Sequence, residues 1–286
     1  MPVAVEQVRR MRGGAQSHLM RCDDGGYYVV KFQNNPQGVR VLANELLGTR
    51  LAARIGIPVP AAEVVTVGEE LIRLTEDLVM QLGRGRAACR PGKQFGSRYP
   101  GSPAETAVSD FLPEEQLREV ANLEDFCGVF AFDKWTCNTN GRQAIFFRTP
   151  VRGPREEVRG VKEDDAAVGS GPPDKGYRAV MIDQGFCFNA GEWNFPDAPL
   201  RGLYARHRVY ERVTGMASFE KWLARIERVD EAALDEMGRE IPPEWYEDDL
   251  DALYQLLERL LRRRTMVAEL IRAAWKSAAQ PFPLWK

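Results

Sequence analysis

The first part of the chain alternates short apolar runs with glycine-rich turns. VAVEQVRRM leads into Gly13-Gly14-Ala15-Gln16-Ser17, SHLMRC leads into Asp23-Asp24-Gly25-Gly26, and YYVVKF follows. Short β-rich runs separated by such turns predict a meander of antiparallel hairpins over residues 3–33. YYVVKF contains no proline, so it can be a central strand. The period then changes. Val41, Leu42, Glu45, Leu46, Thr49, Leu51, Ala52 and Ile55 recur at helical spacing, and Gly56 and Pro58 end the helix. IPVPAAEVVTV returns to extended structure, and EELIRLTEDLVMQL reads as a further helix.

Residues 83–104 are rich in Gly, Pro and Arg and read as a connector holding one short strand, QFGSRY. A helical pattern over 113–132 leads into FAFDKWTCN. Asn140-Gly141 is a hairpin turn signal, and RQAIFF after it reads as a strand. Residues 148–176 are Pro, Gly and charge, the composition of a mobile insertion. YRAVMIDQGFCF resumes as a strand and a turn. From about 200 onward the pattern is helical, broken at Pro242-Pro243, with a long last helix over 248–275. The predicted class is α+β and bilobal. A small β-rich N-lobe with one helix spans 1–92, and a mainly helical C-lobe spans 93–286 with the 148–176 insertion inside it.

Composition narrows what such a chain does. At 286 residues, 44% hydrophobic and 28% charged, it can bury a full core. No stretch approaches the ~18 apolar residues of a membrane span. The N-terminus is charged by residue 6 and has no apolar h-region, so no secretory signal is expected. A net charge of −2 gives no global basic field for nucleic acid. Five scattered cysteines without a CxxC pair argue against a disulfide framework or a structural zinc site, and for a reducing cytoplasm. With two histidines, a His-based triad or a His-rich metal centre is not expected. Carboxylates and lysine are left to carry any chemistry. Because the chain has 31 Arg and only 8 Lys, a lysine inside an apolar run stands out.

Lys31 is that lysine. It ends Tyr-Tyr-Val-Val and needs an anionic partner, since desolvating an ammonium is expensive. Glu45 lies fourteen residues on, on the apolar-facing side of the next helix. A strand lysine paired with a helix glutamate is how kinases hold the α- and β-phosphates of ATP. Asp133 follows three apolar residues and precedes Asn138 by five, the spacing of a catalytic loop in which Asp accepts the acceptor's proton and Asn ligates Mg²⁺. Asp183 ends an apolar strand before Gln-Gly-Phe, a place from which a carboxylate can reach a hard cation. The turn Gly13, Gly14, Ala15, Gln16, Ser17 lets backbone amides approach phosphates. The adenine edge is expected on backbone groups at the end of QFGSRY, near Arg98, Tyr99 and Gly101.

Each feature alone has an ordinary explanation: a strand-edge lysine, a solvated helix face, turn-forming Asp and Asn, a hairpin glycine. Arg262-Arg263-Arg264 reads as a solvated helix face and Trp135 as core or cleft wall. The order decides for a kinase: Gly-rich turn, strand Lys, helix Glu, connector, Asp and Asn, strand, Asp. Two rivals stay open. One is a pseudokinase-like module that binds nucleotide or a partner without turnover. The other is a metal-dependent hydrolase using Asp133 and Asp183, which leaves Lys31 and Glu45 unexplained.

These residues also resemble the HipA-like kinase family, which has the protein-kinase-like fold and shares features with phosphoinositide kinases. The resemblance rests on VVKFQNNPQ, LANELLGTRLAARIGIPVP, FGSRYPG, FDKWTCNTNGRQAIF, MIDQGFCFN and IPPEWYEDDLDALYQLLERLLRRR. It implies a phosphotransferase that uses ATP and Mg²⁺ to modify an alcohol group, usually the Ser or Thr hydroxyl of a protein. A lipid or small-molecule acceptor is the alternative. HipA itself is the toxin half of a toxin–antitoxin pair. This chain is shorter, with Lys31 too near its start for the extra N-terminal subdomain expected of HipA, so toxin activity and an antitoxin partner stay open.

Overall fold

The structure, a computed structural model, describes residues 1–148 and 176–286. The expected insertion at 148–176 lies outside the described residues except for its two end positions.

The N-terminal hairpins form as their turns dictate. Strands β1 (Ala4–Arg10), β2 (His18–Cys22) and β3 (Tyr27–Lys31) pair antiparallel in succession. Helix α1 (Arg40–Arg54) and strand β4 (Ala62–Val67) follow. Strand β7 (Gly92–Arg98) then inserts between β3 and β4, giving the order β1-β2-β3-β7-β4. The expected lobe boundary at 92/93 therefore falls at the start of a central strand, and this sheet runs to Arg98.

The expected helix over EELIRLTEDLVMQL is corrected. Helix α2 (Glu69–Leu74) stops at Thr75, which is extended with φ −116° and ψ 99°. Val79–Leu82 is strand β5, in a hairpin with β6 (Gly85–Ala88). A β-branched residue followed by Glu-Asp ends the helix before its apolar stripe can continue. The expected connector thus contains two strands, β6 and β7.

The C-terminal half is mainly helical. A short strand β8 (Val108–Ser109) and helix α3 (Glu114–Leu117) precede α4 (Asp125–Thr136). Strands β9 (Gln143–Arg148) and β10 (Tyr177–Ile182) pair antiparallel with Ile182 opposite Gln143. Helices α5 (Ala217–Glu227), α6 (Glu231–Arg239), α7 (Leu250–Arg263) and α8 (Val267–Trp275) complete it, α7 and α8 splitting the single long helix that was expected. Asp230 and Asp249 cap α6 and α7 by accepting the amides of Ala233 and Ala252. The main core joins Leu42, Leu46 and Leu51 of α1 to Phe126, Phe130 and Trp135 of α4, so α1 packs against both halves. A second core, with Met20, Tyr28, Val30, Phe32, Val65 and Met80, lies within the N-terminal half.

That second core carries a pH-sensitive residue. Buried His18 meets Phe32 edge-on at 5.7 Å, with Gln7 and the Cys89 thiol on its ring nitrogens. Burial, then the nearby positive charge of Arg10, lowers its pKa from 6.5 to about 4. Between those values the unfolded chain binds a proton that the folded chain does not. The contribution of neutral His18 is complete above pH 6.5 and is lost as the pH falls to about 4. We expect a loss of up to about 3 kcal/mol over that window. Urea unfolding as a function of pH should show a shallower acid slope in His18→Gln than in the parent; equal slopes would contradict it.

Candidate active site

Three charged side chains from three elements meet in the cleft between the halves. Strand β3 delivers Lys31 opposite Phe95 of β7. Its ammonium donates to Glu45 Oε1 of α1, and to Asp183 Oδ1 at 2.8 Å, just after β10. Glu45 also accepts the backbone amides of Gln184 and Gly185, each at 2.9 Å. Asp183 sits in the left-handed region at φ +65°, which Asp tolerates better than most residues. A side chain at 185 would place its Cβ 2.6 Å from Val41, so the Gly of Asp-Gln-Gly permits this close approach to α1.

The electrostatics follow from one ammonium serving two carboxylates. Burial opposes the charge on Lys31, but Glu45 and Asp183 outweigh it and hold the pKa above the ordinary lysine value. Burial likewise opposes the charge on Asp183, and Lys31 overcomes it, keeping that pKa low. Burial raises Glu45 against the pull of Lys31.

Asn44, next to Glu45, was not anticipated from the sequence. Fully buried, it donates to the carbonyls of Gly185, Cys187 and Ala190 and accepts from Trp193 Nε1 at 2.7 Å. The gripped segment is strained, with positive φ at Phe188, Asn189, Ala190 and Trp193. An asparagine between Ala43 and Glu45 on an otherwise apolar helix face is the signal that could have found it.

Above the triad lies a cavity of about 270 Å³. Gly13, Gly14, Ala15 and Ser17 line it, together with Lys31, Glu45, Arg98, Tyr99 and Asp183. Gln16 and Gly101 are not in its lining. Gln16 instead braces the turn, exchanging hydrogen bonds of 2.8 and 2.7 Å with the backbone of Gln81. The amides of Arg98 and Tyr99 are already spent on the carbonyls of Ala61 and Tyr27, and Pro100 has no N–H. Only carbonyl oxygens remain at 98–100 for the expected adenine contact.

Asp133 departs most from expectation. It lies not in a loop but in the last turn of α4, because Asp-Lys-Trp-Thr carries no helix breaker and the helix runs on to left-handed Cys137. Its side chain is fully buried against that of Arg142, whose Nε and Nη2 bond its two carboxylate oxygens. Asn138 Nδ2 donates to it as well, at 3.1 Å, and Asn138 Oδ1 accepts the amide of Asn140. Both polar ends of Asn138 are thus used internally, and neither Asp133 nor Asn138 lines the cleft. Arg142 continues the network to Ile182 O at 3.0 Å and Gln184 Oε1 at 2.6 Å, the two neighbours of Asp183.

A hard divalent cation suits Asp183, whose side chain keeps 20% exposure and lines the cleft. Asn138 does not fit that role as placed. No group of three His, Cys, Asp or Glu side chains that could hold a metal occurs among the described residues.

Residues 4–144, just under half of the chain, match the family model described as HipA-like kinase. Over that span the chain is similar to that family. Solved kinases share its fold. The Golgi casein kinase with Mn/ADP bound superposes with a TM-score of 0.52 and 11% identity, over 96% of this chain and 74% of that one. The proinflammatory kinase CtkA of Helicobacter pylori gives 0.50 and 11%, over 96% of both chains. HipA of Shewanella oneidensis MR-1, solved with HipB and operator DNA, overlays more loosely, at 0.45. No curated protein matches. The fold is kinase-like, and with the family match it supports a kinase function.

The buried Asp133–Arg142 pair makes a stability prediction. Asp133→Asn leaves the guanidinium buried without a countercharge and should cost about 3–5 kcal/mol. Asp133→Leu combined with Arg142→Met should cost less than that single change, because no charge is stranded. Urea unfolding tests this; a neutral Asp133→Asn would show that the pair is not holding the loop.

Proposed function

We propose that the chain is an ATP- and Mg²⁺-dependent phosphotransferase acting on an alcohol hydroxyl, with a Ser or Thr side chain of a protein the favoured acceptor. The observation that carries this is Lys31 clamped between Glu45 and Asp183 beneath the Gly13–Ser17 turn. Lys31 offers a permanently charged donor to the α- and β-phosphates. Glu45 fixes its position and, through Gln184 and Gly185, the position of Asp183. The glycine-rich turn covers the phosphates with backbone amides. Asp183 would hold Mg²⁺, which when bound offsets charge on the phosphates. Catalysis of this kind is positioning and electrostatics, and the residues present are of that type. Five free, buried cysteines suit a reducing compartment, and the cytoplasm is the proposed location. Among the described residues no helix is long and apolar enough to cross a membrane.

A second reading, a nucleotide-binding module without turnover, draws on a specific observation. The carboxylates lining the cleft are Glu45 and Asp183, and both are engaged by Lys31. Intact-mass spectrometry after incubation with Mg-ATP, alone and with candidate protein, lipid and small-molecule acceptors, separates the two readings. Added phosphoryl mass with ADP release supports the transferase; tight Mg-ATP binding with no transfer to any acceptor supports the module.

Lys31→Ala should weaken Mg-ATP binding at least about tenfold, and Glu45→Ala should partly imitate it, with non-additive losses in the double variant. Calorimetric titration of all four proteins measures this, and strictly additive losses would mean that the pair does not act together.

A further inference from the structure

We infer that the face formed by α6 and α7 is a docking surface for another protein, and that it takes a segment whose apolar side chains are flanked by Lys or Arg. The inference goes beyond the phosphotransferase reading and does not depend on it, because binding at this face needs no nucleotide.

Helix α7 carries more apolar surface than the core uses. Leu253, Leu256 and Leu260 are buried in the main core. Leu250, Tyr254, Leu257 and Leu261 recur at spacings of four, three and four residues, which puts them on one side of the helix as a second stripe. Leu257 is buried, but Leu250 is 47% exposed and Tyr254 55%. A lone exposed apolar side chain is ordinary; a stripe of them beside cavities marks an interaction surface.

Two cavities open along that stripe. One, of about 210 Å³, lies against Ile241, Pro243 and Leu250. The other, of about 380 Å³, lies against Leu234 and Leu261. Tyr254, Leu257 and Asp235 line both. Gly238 lets α6 approach α7 closely, since a Cβ there would fall 2.8 Å from Leu257 Cδ1. The floor is therefore set by helix-on-helix packing.

The walls are acidic. Glu231, Asp235, Asp251 and Glu258 line the two cavities against a single cation, Arg239. The bias extends beyond the lining: residues 227–258 hold twelve acidic residues and two basic ones, in a chain whose net charge is only −2. Part of this charge serves the fold. Glu240 pairs with Arg50, and Glu247 and Asp249 with Arg40. Glu231 and Asp251 lie in the first turns of their helices, where the dipole favours an acid. Asp235 and Glu258 have no such place. Asp235 reaches Arg239 only at 4.0 Å, and Glu258 meets the exposed Arg262. Exposed pairs of this kind are worth little and exchange readily.

That charge selects the occupant. Anionic lipid headgroups and nucleic-acid phosphates are repelled. A second copy of this chain docking by the same face would set acid against acid, because a two-fold contact brings the same patch together twice. A segment with apolar side chains flanked by Lys or Arg fills the cavities and meets the carboxylates, and the complementary charge also speeds encounter.

The test pans a random-peptide phage library on the immobilised full chain without nucleotide, then measures a synthesised enriched peptide by fluorescence anisotropy. Enriched sequences should combine Lys or Arg with Leu, Ile, Phe or Met. Tyr254→Ala should weaken binding of that peptide at least about tenfold, as truncating a central aromatic anchor does. Asp235→Lys combined with Glu258→Lys should weaken it at least about tenfold as well, and raising the salt from about 0.05 to about 0.3 M should weaken parent binding several-fold. Circular dichroism confirms the fold of each variant, and Leu250→Ala, at an exposed position, replaces either one that fails to fold. No enrichment above that on the charge-reversed variant, enrichment of peptides without cations, or binding unchanged in either variant overturns the inference. So does a parent dimer in sedimentation velocity that Tyr254→Ala dissociates, which would make the occupant a second copy of this chain.

Discussion

One ammonium shared by two carboxylates organises this molecule. Lys31 belongs to the N-terminal sheet, Glu45 to the helix packed on both halves, and Asp183 to the end of β10. None of these charges can be buried alone, because an isolated ion in the interior costs several kcal/mol. Each therefore fixes the others, and with them the relative placement of sheet, helix and strand end. Asn44 and Glu45 extend the hold to residues 184–193, including the strained positions 188–190. A phosphate entering the cleft would meet a cation already charged and already positioned.

Part of this was legible in the sequence because it obeys local rules. The hairpins at 13–17 and 23–26 follow from their glycines, α1 from its period, and Lys31 from being a rare lysine in an apolar run. The family resemblance and the α+β kinase-like architecture were legible for the same reason: their motifs are contiguous. Where competing local signals met, the sequence misled. Thr75-Glu76-Asp77 broke a stripe that looked helical, and the Gly/Pro-rich stretch that resembled a connector with one short strand contains both β6 and the interior strand β7. The strand expected at QFGSRY is β7, but its place between β3 and β4 is fixed by partners that are remote in sequence.

The candidate site divides in the same way. Lys31, Glu45 and Asp183 carry charge that must be paired on burial, so their roles could be argued from their places at apolar strand ends and on the apolar side of a helix. Asp133 satisfied the spacing of a catalytic loop, but spacing does not reveal which way a carboxylate is satisfied. Arg142, nine residues on, takes both of its oxygens and turns it inward. Asn140, which looked like no more than a hairpin turn, lines the cleft. The buried Asp133–Arg142 pair still matters to the site, since Arg142 reaches both neighbours of Asp183.

The most direct test is a crystal structure of the protein with Mg-ADP. The phosphates should lie beneath the Gly13–Ser17 turn, within hydrogen-bond distance of Lys31 Nζ, with the metal on Asp183 and Asp133 still paired with Arg142. Nucleotide bound outside this cleft, or phosphates in it that do not contact Lys31, would contradict the account.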